Sequence, residues 1–145
     1  MKVLSHDGAT QLVVLGIRPG EMLLESIERA LRDRGIENGV VVSGIGTLKT
    51  CTMHYITHCD FPPSDELYTL EKPLELLSVS GVIAAGEPHL HIVVSCGDSE
   101  VYGGHLEPNS EVLYLAEIAI LVCNGLRMTR KRDEERKLSL LAPAD

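Results

Sequence analysis

The chain has 145 residues, 44% of them hydrophobic, which suffices for one domain, 1–145, with its own core across about 11–141. Its formal net charge of −8, from 13 basic and 21 acidic residues, makes a phosphate backbone repulsive and argues against nucleic acid as a partner. No run is long and apolar enough to span a membrane, residues 1–10 lack the apolar stretch of a signal peptide, and Cys51, Cys59, Cys96 and Cys123 form no Cys-x-x-Cys pair, so the expectation is a cytoplasmic protein with reduced thiols.

With Phe61, four tyrosines and no tryptophan, the core must be aliphatic. Gln11–Ile17 (QLVVLGI) is β-branched and apolar, a buried strand, and Arg18-Pro19-Gly20 breaks it. Residues 21–34 read as the one main helix. Leu23, Leu24, Ile27, Ala30 and Leu31 recur at helical spacing, acids gather early and arginines late, and Gly35 is placed to end it. Residues 39–43 (GVVVS) form a second buried strand, Gly44-Ile45-Gly46-Thr47 a turn, and 49–57 a returning strand. The Pro62-Pro63-Ser64-Asp65 region is a loop; His54 and His58 are read as surface residues. Residues 67–70 and 74–85 are strands on either side of Pro73.

The histidines come next. His89 and His91 are two apart, so on a strand both imidazoles leave one face while Leu90, Ile92 and Val94 share the other. Cys96-Gly97-Asp98-Ser99 has the composition of a hairpin turn. Pairing about Asp98, through a three- or five-residue loop, puts His91 opposite His105 and Gly103 opposite Val93, whereas a two-residue Gly97-Asp98 loop sends His105 to the other face unless the glycine pair makes a bulge. Three imidazoles on one face are what a divalent ion such as zinc needs, with a fourth position left open for water or substrate.

Val112–Val122 is nearly all apolar, interrupted only by Glu117, and reads as a strand covered on both faces, one of them by another subunit. Glu117 has three readings: pairing with an arginine, accepting a hydrogen bond from a histidine ligand, or facing water. Residues 127–137 carry six basic and three acidic residues and read as a solvated edge. One helix among many strands gives an α+β fold: a strongly bent, largely antiparallel sheet with the helix packed on it.

Taken together, Gly44-Ile45-Gly46-Thr47-Leu48, Gly81-Val82-Ile83, Pro88-His89-Leu90-His91, Gly103-Gly104-His105-Leu106 and Glu117-Ile118-Ala119-Ile120, in that order, resemble the plant- and prokaryote-conserved (PPC) domain over nearly the full chain. The resemblance implies a homotrimer. In plants the domain follows AT-hook segments built on Arg-Gly-Arg-Pro and regulates DNA. No such segment occurs in this sequence, so the stand-alone prokaryotic form is the better match. The family fold is similar to that of acetolactate decarboxylase, which holds zinc through a His-x-His pair and a third histidine; carried over, these are His89, His91 and His105. Its catalytic arginine and glutamate match no motif here, and Arg18 (as an anion anchor) and Glu117 are the candidates. The functional expectation is a trimer with a Zn(2+) site and lyase-like or hydrolytic chemistry on a small carbonyl or carboxylate compound. The alternatives are a non-enzymatic assembly module and a DNA-binding regulator.

Overall fold

The computed structural model describes residues 1–144. Seven elements form the body: β1 (Gln11–Ile17), α1 (Leu23–Arg34), β2 (Gly39–Ile56), β3 (Asp65–Ala84), β4 (Glu87–Cys96), β5 (Glu100–Leu106) and β6 (Val112–Val122). The six strands make one antiparallel sheet in the order β1-β6-β2-β3-β4-β5. The sheet bends until β5 meets β2 again, pairing Met53 with Leu106 and His54 with His105. Strands β7 (Met128–Asp133) and β8 (Leu138–Pro143) form a separate hairpin. This is the expected α+β architecture.

Helix α1 starts two residues later than its pattern suggests. Glu21 is taken up by the preceding turn, where its carboxylate accepts the Arg18 N–H at 2.9 Å and a bond from Arg29 at 2.8 Å. Met22 stays extended and bridges to Glu111. Gly35, at φ 62°, ends the helix, and the closing N–H groups reach Arg32 and Leu31 carbonyls. Leu23, Ile27 and Leu31 are buried with Val13 and Ile17 of β1 and Ile118 and Ile120 of β6. Each such side chain contributes about 2 kcal/mol of transfer free energy.

One predicted turn and one predicted break between strands are absent. Residues 44–47 lie inside β2, and Pro73 lies inside β3. The glycines of β2 do not reverse the chain. They mark bends, with register shifts against β6 on either side of them. Pro73 sits beside a shift between Leu48 and Thr50, where the ladder is already interrupted and the missing N–H is tolerated. The hairpin loop between these two long strands spans 57–64, as the prolines indicated.

Gly81 ties β3 to β4 beside the histidines. Its φ is +155°, and a β-carbon there would collide with the carbonyl oxygen of His89. Its partner is Leu90, which separates His89 from His91. Gly81→Ala is therefore expected to cost about 3 kcal/mol, read as a lowered urea midpoint. Stability within about 0.5 kcal/mol of the parent would contradict so close an approach.

In a single chain β6 is covered on one face only. Val112, Ala116, Ile118, Ile120 and Val122 are buried, while Tyr114, Leu115 and Glu117 are exposed. Leu12 and Val14 of β1 and Val42 and Ile45 of β2 extend the exposed apolar surface. The face expected to meet another subunit is exposed in a single chain, because the lone helix covers only the other side.

Candidate metal centre

The hairpin that carries the histidines has the register its turn predicts. A three-residue loop, Gly97-Asp98-Ser99, joins Cys96 to its partner Glu100, and His91 faces His105 with Gly103 opposite Val93. Leu90, Ile92 and Val94 are buried in the core, which sends His89 and His91 to the outer face. The His89 and His91 rings are nearly parallel, with centroids 5.4 Å apart. His105 stands edge-on to both, at 4.8 and 5.5 Å. One nitrogen from each of the three lies within 4.8 Å of the others. Zinc held at about 2.0–2.1 Å from each would draw those nitrogens to roughly 3.3 Å apart, a shift within reach of side-chain rotation.

The sequence reading missed His54. It lies on β2, directly beside His105, and the two rings stack at 4.5 Å. Gly104 makes this contact feasible, since any side chain there would meet the His54 carbonyl. His54 is half-buried; its Nδ1–H donates to Glu107 Oε1 at 2.5 Å, and its Nε2 lies 3.9 Å from Asp65. His54, His105 and Glu107 form a second group with metal-ligand spacing. Glu107 already engages His54, so among the described residues His89, His91 and His105 are the set whose nitrogens carry no hydrogen bond. No local spacing signals His54, because its proximity comes from the β2–β5 pairing, 51 residues apart in sequence.

Electrostatics favour neutral ligands. Burial first, then repulsion from His54 and His89, pushes His105 down to about 4. His89 is also lowered, by lost hydration and then by the positive charge of Arg130. Neutral imidazole is the form that binds a metal ion. These shifts also predict a stability effect in metal-free protein. An unfolded chain protonates His105 near 6.5, whereas the folded chain resists until about 4. Between those values the unfolded state binds more protons, so stability is fully present above 6.5 and declines as pH falls to 4. His105→Gln is expected to flatten that decline in urea titrations run across the window; a slope equal to the parent's would contradict it.

The three histidines open into a cavity of about 570 Å³ that also touches His54, Tyr55, Ile56, Asp65, Arg130 and Leu138. Arg18 and Glu117 do not line it. Arg18 borders a different cavity, between β1 and α1. Glu117 is exposed on β6, opposite Gly16 and Ile45.

Comparison with known proteins agrees with this architecture. The chain belongs to the Plants and Prokaryotes Conserved (PCC) domain family, whose model matches residues 4–124. The metal-containing protein AF0104 from Archaeoglobus fulgidus superposes with a TM-score of 0.82 at 30% identity, covering 98% of this chain and 99% of that one. A PPC protein from Pyrococcus horikoshii gives a TM-score of 0.78 at 28% identity over 97% and 99%. The bifunctional protein GlmU of Synechococcus sp. (strain JA-3-3Ab) is 29% identical over 126 residues, 87% of this chain. The chain spans only 19% of that protein's length.

Proposed function

We propose that this PPC-type domain is a homotrimer whose protomers each hold a zinc-like divalent ion on His89, His91 and His105, and that the site acts on a small carbonyl or carboxylate compound. The convergence of three uncommitted imidazoles on one cavity carries this reading. The likeness to a metal-containing protein at 30% identity supports it. Such an ion supplies Lewis acidity, polarising a carbonyl or acidifying a bound water. The chain's own part is to hold the three nitrogens, to fix the His105 ring against His54, and to shape the cavity around a ligand. The trimer rests on the family resemblance and on the exposed apolar face of β1, β6 and β2. Glu117 lies on that face and Arg18 beside a separate cavity, so neither reaches the histidines of its own protomer.

Among the described residues no helix is long and apolar enough to cross a membrane. A cytoplasmic location belongs to the proposal and is supported by the four free cysteines. Nucleic acid is not the expected partner. The basic run spends Arg136 on Asp133 and Lys137 on Glu134, each at 3.1 Å, and the net charge is −8.

Metal analysis of protein purified without a histidine tag is expected to give about one ion per chain. Folded protein that neither contains nor takes up such an ion would overturn the reading. A second reading, an assembly module without turnover, is favoured by one observation: Arg18 and Glu117 stand outside the cavity, so no complete catalytic set surrounds the histidines in one chain. A stoichiometric protein partner, with no turnover of any keto acid, would decide for it.

A further inference from the structure

Arg130 is the one basic residue of the 127–137 run that reaches the histidine cavity. The β7–β8 register explains why. Arg130 pairs with Leu141 and Arg132 with Ser139, and residues two apart on a strand share a face. Met128, two residues before Arg130, is buried, and its N–H donates to the side chain of buried Asn38 at 2.9 Å. That anchor turns the Met128–Arg130 face of the hairpin inward. Arg130 and Leu141 accordingly border His89 and His91, together with Val82.

The guanidinium is half-buried, and among the described residues it has no hydrogen bond and no ion pair. Its neighbours Arg136 and Lys137 are paired with acids, and Arg127 and Lys131 have interactions of their own. A partly desolvated guanidinium with no acceptor is costly unless a ligand supplies one. It also stands beside the histidines, where its positive charge acts on His89. A cation here serves no purpose in holding another cation. An anion placed between the two would satisfy it.

We infer that Arg130 anchors the carboxylate of a small monoanionic ligand whose reactive end faces the three histidines. This rests on the metal reading given above and adds the ligand class and the residue that selects it. A planar carboxylate matches the guanidinium fork with two parallel hydrogen bonds. A single arginine, in a cavity that Asp65 also lines, disfavours a phosphate dianion, which needs more donors and fewer carboxylates. Tyr55, Ile56, Pro63 and Leu138 outweigh Ser139 in the rest of the lining, so the ligand body is mainly apolar. The 570 Å³ volume lies within the range of small-molecule sites, about 300–1,000 Å³.

The test uses the zinc-loaded full chain and three probes in isothermal titration: benzoate, benzamide and inorganic phosphate. Benzoate is expected to bind most tightly. Arg130→Gln is expected to weaken benzoate at least about tenfold while leaving zinc content and benzamide affinity unchanged, and Arg130→Lys to retain part of the affinity. Should the glutamine variant not fold, the lysine variant carries the test, with a smaller loss expected for benzoate alone. Benzoate affinity equal to the parent's in a zinc-containing Arg130→Gln protein overturns the anchor, and so does a preference for phosphate. If the parent binds no zinc, the metal reading fails separately. The same titration on metal-free protein still judges Arg130, because only the anchor makes benzoate binding depend on that side chain.

Discussion

His105→Ala is expected to lower zinc affinity by at least about 100-fold, because it removes one of three protein ligands and leaves a His-x-His pair alone. The fold should survive. Leu106 is buried beside it, and the β4–β5 ladder does not use the His105 side chain. His89→Ala and His91→Ala should behave alike. His54→Phe is the informative contrast. It keeps a ring stacked on His105 but removes the bond to Glu107, so metal affinity should fall by no more than about tenfold. The opposite pattern would move the ion. If Glu107→Gln abolishes binding while His89→Ala does not, the second group of His54, His105 and Glu107 is the true site. Competition against a chelator of known affinity reads all five variants.

The second large effect concerns assembly. Leu12, Val14, Val42, Ile45 and Leu115 are between 49% and 63% exposed in one chain, and β1, β6 and β2 bring them to one side of the sheet. In the proposed trimer this apolar surface is the subunit interface. Sedimentation equilibrium is then expected to give three times the chain mass of 15.8 kDa. Placing a charge at the centre of the face, as in Leu115→Arg, would bury an unpaired cation in the assembly, and monomers should result at micromolar concentration. A parent protein that stays monomeric, or a Leu115→Arg variant that remains trimeric, would contradict the assignment of this face.

The parts of the structure that rest on local pattern were legible in the sequence. The alternation of Leu90, Ile92 and Val94 with the histidines set the face of β4, and the three-residue turn set the register that brings His105 across from His91. Helix α1 followed from its apolar stripe and Gly35. What depends on distant pairing was not legible. His54 joins the cluster only because the sheet curls until β2 meets β5, and no spacing within 50–60 signals that closure. Gly44 and Gly46 read as a turn because a glycine pair in a short apolar run usually is one; here they bend a strand of 18 residues. Arg130 was hidden in a basic run, since only the folding of the β7–β8 hairpin over the cavity separates it from its solvated neighbours.

Diffraction data collected on both sides of the zinc absorption edge, from crystals of untagged protein, measure the decisive quantity directly. The expected result is one anomalous peak per protomer, about 2.0–2.1 Å from a ring nitrogen of each of His89, His91 and His105. A difference map with no peak among those rings, or with its peak between His54 and Glu107, would contradict the assignment.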